Sequence, residues 1–249
     1  MQSTFKYISS LTLCILVVYS AQAQKIKAVP DTIKMPLYNG IFVQADIASI
    51  ASSLLSKGET YSYEAAFQAD LKHKFFPTIE LGFAGANKLT NDKIGFKTNG
   101  LFGRIGIDFN VLTPKKDSKP TTNLFLVGLR LGMTNYSYNI SNITITDDYW
   151  GGTKAVLYND NSTTKIWYEI AVGVRVEVLK NIFMGWTLRS KSLISNDVEG
   201  NISPWYIPGF GINNGTNWTI NYTIGYKFNI PSKSKSLNKL RESSIIFKK

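Results

Sequence analysis

The chain has 249 residues, an apolar content of 44% and a formal charge of +11, with one cysteine, Cys14, and one histidine, His73. A single histidine excludes a multi-histidine metal centre, and a lone cysteine this close to the start leaves no disulfide or cysteine cluster for the rest of the chain. The fold must therefore hold by packing and hydrogen bonds, and no cofactor or metal is expected.

Residues 1–23 read as a cleavable export signal: Lys6 supplies the positive charge, Tyr7 to Val18 the apolar stretch, and Ala21-Gln22-Ala23 the small-residue cleavage site. The stretch is shorter than the ~20 residues of a spanning helix. Leu13 stands where a lipid-anchored cysteine would follow a small residue, so Cys14 is read as part of the signal. The expected organisation is a signal (1–23), a periplasmic lead (24–39), a barrel (40–230) and a basic periplasmic tail (231–249).

From residue 40 onward the apolar residues recur with period two, the spacing of a strand with one buried face. Eight segments show it: Gly40 to Ala48, Thr60 to Lys72, Thr78 to Ala86, Phe96 to Leu112, Asn123 to Tyr136, Ile166 to Leu179, Ile182 to Lys191 and Asn217 to Ile230. In the last, Trp218, Ile220, Tyr222, Ile224, Tyr226 and Phe228 share one face, and Thr219, Asn221, Thr223, Gly225 and Lys227 the other. Two stretches, Ile47 to Leu55 and Leu237 to Phe247, have helical amphipathic spacing.

Alternation by itself also fits a soluble sandwich or barrel. The polar face argues otherwise, because it sets Gly82, Gly106, Gly128, Gly132, Ala171 and Gly173 beside Arg, Glu and Asp. Small residues make room for large charged ones inside a narrow barrel but serve nothing on a solvated sheet. Two short helices cannot cover the apolar face of eight strands, and lipid can. The expected fold class is all-β, an eight-stranded antiparallel up-and-down transmembrane β-barrel, since hydrocarbon tolerates strands only in closed form. Short connections after the second, fourth and sixth strands, against longer ones such as Ser137 to Lys165 and Ser192 to Thr216, put both termini in the periplasm.

The export signal, the Gly-Arg-Ile-Gly-Ile-Asp-Phe-Asn segment at 103–110 and the aromatic closing strand resemble Bacteroidota-type small outer-membrane β-barrel proteins, including families of unknown function. That resemblance implies the barrel architecture and an outer-membrane location in a Gram-negative bacterium. It brings no catalytic motif.

On the polar face, Glu64, Asp70, Glu80, Arg104, Asp108, Arg130, Glu169, Arg175, Glu177 and Arg189, with Lys72 and Lys227, are expected to neutralise one another as a charge network filling the lumen. Arg130 is expected to partner acids such as Glu169. His73, flanked by Lys72 and Lys74 at a predicted turn, is poorly placed for general base catalysis. Paired carboxylates sit among arginines, so no enzyme is expected. Asp147, Asp148, Tyr149 and Trp150, at the predicted tip of the longest loop, are candidate binding residues, because aromatics beside carboxylates suit a carbohydrate or a divalent cation. After Ile230, six basic residues stand against Glu242. An exported chain without a nucleic-acid fold signature does not use such a tail on nucleic acid. Outer-membrane lipid, a surface ligand and a periplasmic partner are the expected contacts. The expected function is a non-enzymatic barrel with a filled lumen, acting in envelope integrity or surface interaction. The alternative is transport of a small solute.

Overall fold

Every one of the eight alternating segments forms a strand in the computed structural model, which describes residues 37–90, 93–112, 122–147, 152–194 and 203–229. In chain order the elements are β1 (Tyr38–Asp46), α1 (Ile47–Leu55), β2 (Thr60–Leu71), β3 (Phe75–Leu89), β4 (Gly95–Asn110), β5 (Leu124–Asp147), β6 (Gly152–Leu179) and β7 (Ile182–Leu193). A two-residue pair, β8 (Tyr206–Ile207) and β9 (Gly211–Ile212), precedes β10 (Thr216–Phe228). Neighbouring barrel strands run antiparallel, and β1 pairs with β10, for example Val43 with Tyr226, which closes the eight-stranded barrel.

Period two decides which residues face out. Ile79, Leu101, Ile105, Leu129, Trp186 and Ile220 are each more than half exposed on the outer face. The belt they form has an edge: along β5 the outward positions run Leu129, Leu131, Met133 and then change to Asn135 and Ser137. Tyr63 and Trp218 lie at this level, and Phe75, Phe109, Tyr226 and Phe228 at the opposite end, as interfacial aromatics do.

One end of the barrel carries tight turns, and we refer to it as the turn end. Lys72 and His73 adopt φ of 54° and 55° between β2 and β3, and the His73 amide donates to Asp70 Oδ1 at 2.8 Å. Between β6 and β7 the Asn181 amide donates to Glu177 Oε1 at 2.8 Å, with Asn181 at φ 65°.

The loop end differs from the sequence expectation. Residues 137–165 were expected as a loop, yet β5 and β6 extend to 24 and 28 residues and pair through Ser137↔Ser162 and on to Asp147↔Gly152, with two register shifts. About 9–11 residues cross a bilayer, so much of this hairpin stands beyond the belt. Among the described side chains there, Ser137, Ser162 and Thr164 face out, while Tyr136, Tyr138, Ile140 and Lys165 stay buried on the inner face. Polar composition read as loop is in fact a strand above the apolar belt.

β3 starts at Phe75, ahead of the expected Thr78, and includes Pro77. Its pairing with β2 lapses between Leu71↔Phe75 and Gln68↔Thr78, where proline has no N–H to offer. Ile47, expected in the first strand, opens α1 instead, because Asp46 caps the helix by accepting from the Ala48 amide at 3.0 Å.

Candidate functional site: a filled lumen

Inward-facing residues fill the barrel in three layers. The middle layer is ionic. Glu80 accepts from Arg130 Nε through Oε1 at 2.7 Å, and its Oε2 meets Nη1 of Arg104 at 2.9 Å and of Arg189 at 2.8 Å. Glu64 pairs with Arg104 at 2.7 Å and Arg189 at 3.1 Å. Glu169 accepts from Trp167 Nε1 at 2.7 Å and lies 2.8 Å from Arg104 Nε, an ion pair in which that N–H is not aimed at the oxygen. Strand register brings these groups together, since Glu80 stands opposite Arg104 across β3 and β4. Glycine makes room for the larger side chains: a Cβ on Gly132 would overlap the Trp167 ring opposite it.

Arg130 also reaches Asp108 at 3.0 Å, and Gln68 links Asp108 to Arg175 by bonds of 2.6 Å on each side. Buried charges are tolerated only when paired in this way. Two expected members stand elsewhere. Glu177 is only partly buried and serves the β6–β7 turn, and Lys72 is exposed at the β2–β3 turn. The expected pairing of Arg130 with Glu169 is corrected as well. The two are opposite in the ladder, but the Arg130 guanidinium goes to Glu80 and Asp108, while Glu169 faces Arg104 and Arg189.

At the turn end an apolar layer closes the lumen. Phe42 and Phe76 are fully buried with Phe183, Leu124 and Leu126, and the Phe42 and Phe183 rings meet edge-on at 5.0 Å. Below them Asp70 binds Lys227 Nζ at 2.7 Å and lies 3.2 Å from His73 Nδ1. His73 thus belongs to a turn.

The loop-end layer was not legible beforehand. Residues 203–213, expected to lie in an external loop, fold into the mouth of the barrel. Ile207 and Phe210 are fully buried among Phe102, Tyr136, Tyr138 and Trp167. The Gly209 carbonyl accepts from Arg104 Nη2 at 2.9 Å and Lys191 Nζ at 2.8 Å, which ties this plug to the ionic layer. Burial raises the Tyr206 phenol to a pKa of about 12. Gly209 sits at φ 79°, and a Cβ there would overlap the Phe102 ring. The Ile-Pro-Gly-Phe run at 207–210 is a turn signal, but nothing local says that the turn points inward. Lys191, also missed, follows Arg189 by two residues on the inner face and was readable from the alternation.

A cavity of about 200 Å³ lies between the ionic layer and the plug, beneath α1, and between the ionic and apolar layers remains one of about 30 Å³, beside Gln44, Glu64, Glu80, Arg130 and Arg175. The smaller has room for a water or two. Of the loop-tip candidates, Asp147 ends β5, and Asp148, Tyr149 and Trp150 lie outside the described residues.

A family model described as Domain of unknown function (DUF6048) matches residues 4–235. The chain belongs to that family. No curated protein matches it. Among solved structures it is similar to the N-terminal β-barrel domain of OprF from Pseudomonas aeruginosa, at 13% identity over 76% of this chain and 98% of that one, with a TM-score of 0.36. It is likewise similar to Neisserial surface protein A (NspA), at 12% identity over 77% and 99% of the two chains, with a TM-score of 0.36. The barrel assignment rests on the chain's own closed strand pairing. None of these matches points to the Bacteroidota group suggested by the segment at 103–110.

Gly209→Ala should loosen the plug. A left-handed residue with a Cβ costs roughly 1–2 kcal/mol, and the overlap with Phe102 adds to it. The expected result is a thermal transition lowered by several degrees, while Gly215→Ala, also at positive φ but with open space around its Cβ, loses only the backbone part. Equal shifts in the two variants would show that the contact with Phe102 is unimportant.

Proposed function

We propose that the protein is a non-enzymatic barrel of the bacterial outer membrane with a permanently closed lumen, acting in envelope integrity or in surface contacts through its loop end. The single observation that carries this reading is the three-layer filling, which leaves about 30 Å³ between the ionic and apolar layers. The location is supported by the exposed apolar belt, for which lipid is the natural solvent, and by the export signal read in residues 1–23. Bacteroidota affinity is supported by the sequence resemblance alone. The β5–β6 hairpin is the natural contact element, with Asp147, Asp148, Tyr149 and Trp150 as candidate contact residues and a surface ligand as their target.

Planar-bilayer recording tests the closed lumen. The wild-type protein should insert without steady conductance, whereas stable ion-selective channels would favour the alternative, a transport protein for a small solute.

Orientation is tested by labelling intact cells with an impermeant thiol reagent. With the turn end in the periplasm, Gly215→Cys should react and Lys74→Cys should not. The reverse pattern would invert the barrel.

A further inference from the structure

The barrel wall lacks a strand over part of its height. β1 ends at Asp46, opposite Thr223 of β10, and its pairing with β2 ends at Ala45↔Ala65. Beyond that level β10 continues to Thr216, paired on its far side with β7, and β2 begins at Thr60, paired on its far side with β3. α1 lies across the gap and contacts both strands. Ser53 faces inward, its Oγ accepting from the Ser62 amide at 3.2 Å, and the C-cap Ser56 Oγ donates to the Thr60 carbonyl at 2.8 Å, while Ser52 is exposed. Ile50, Leu54 and Leu55 are exposed. Here the wall is a single amphipathic helix held by side chains, where elsewhere it is a continuous backbone ladder.

Under α1 lies a cavity of about 200 Å³ that runs from Lys191 and Gly209 inside to Ile220, which is 64% exposed outside. Three of its polar groups are under-used. Thr219 Oγ1 and Asn221 Oδ1 are buried without a hydrogen-bond partner. Lys191, only 5% exposed, gives its ammonium to one carbonyl, that of Gly209, although it has three donors. The acids in the same cavity are already engaged, Asp46 by Asn221 and the Ala48 and Tyr222 amides, Glu64 by Arg104 and Arg189. Lys191 makes no direct ion pair: Glu169, opposite it across β6 and β7, is held by Arg104 and Arg189 and acts on Lys191 only at longer range.

We propose that this cavity is a side portal for the head of a membrane lipid that carries both a negative charge and free hydroxyls, of the phosphoglycerol type. An anionic oxygen satisfies Lys191 and the Thr219 hydroxyl, and a head-group hydroxyl supplies the donor that Asn221 Oδ1 lacks. The acyl chains stay outside against Ile220 and the apolar face of α1, level with Trp218. A choline head has no hydroxyl and sets a cation against Lys191. This inference rests on the membrane location proposed above.

The test uses the full mature chain inserted into phosphatidylcholine vesicles doped with phosphatidylglycerol or phosphatidic acid, then extracted in mild detergent and weighed by native mass spectrometry. Insertion is read separately, from heat-modifiable gel migration. Phosphatidylglycerol should be retained at least roughly fivefold over phosphatidylcholine, the effect of about one net hydrogen bond. Ser52→Trp, which fills the cavity from the exposed side of α1, should abolish that retention, and Lys191→Gln and the near-isosteric Thr219→Val should weaken it, with insertion intact. Excess glycerol 3-phosphate should not displace the lipid, because its chains are held by the wall. The proposal is overturned by absence of enrichment, by equal retention of phosphatidic acid, by enrichment unchanged in all three variants, or by displacement with glycerol 3-phosphate, which would assign the site to a soluble ligand. Failure of the wild type to insert would overturn the membrane reading itself.

Discussion

Glu80→Ala should cost about 3–5 kcal/mol of folding stability, the range for breaking a buried ion pair by removing one partner. Glu80 is 1% exposed, and its two oxygens neutralise three guanidiniums, those of Arg104, Arg130 and Arg189. Truncation leaves those cations around a void. Glu64 and Glu169 compensate in part, since they touch Arg104 and Arg189, but Arg130 keeps only Asp108. The measurement is urea unfolding in vesicles, with Glu177→Ala as the comparison. Glu177 is partly buried, and its removal takes away one turn hydrogen bond, worth about 1 kcal/mol. Similar losses in the two variants would mean that the ionic layer does not hold the barrel together.

Val174→Arg should destabilise the inserted barrel by about 2–4 kcal/mol, the depth-dependent penalty for a cation on the lipid face near the midplane. Val174 is 42% exposed on β6, opposite Phe125 of β5 and Trp186 of β7, within the apolar belt. Asn135→Arg, outward-facing on β5 but past the edge of the belt, should change stability by no more than about 1 kcal/mol. Refolding yield and urea midpoint in vesicles report both. Equal tolerance of the two substitutions would indicate that water, not hydrocarbon, surrounds the barrel.

Part of this organisation was legible in the chain before any contact was known. The faces of all eight strands follow from period two, a property of neighbouring residues that no tertiary event can reverse without turning every side chain over. The inward set of Glu64, Glu80, Arg104, Arg130, Glu169 and Arg189 follows from the same parity, as does the presence of small residues such as Gly106 and Gly132 on that face. Which charge meets which was not readable, because side chains as long as arginine reach past the residue directly opposite. Arg130 shows this by passing over Glu169 for Glu80 and Asp108.

What only the tertiary structure decided lies where the controlling partner is far away in sequence. The polar stretch around 137–165 is strand because each half supplies the other's ladder, and isolated composition cannot express that. Pro208-Gly209-Phe210 is a plug because the Gly209 carbonyl meets Arg104, 105 residues distant, and because Phe210 finds a ring pocket built by Phe102 and Trp167. β1 stops at Asp46 because that side chain takes the Tyr222 amide and Asn221 from β10, 175 residues away or more, while capping α1. Local alternation determined the wall of the barrel. Long-range contacts determined how its lumen is closed and where its wall is left as a helix.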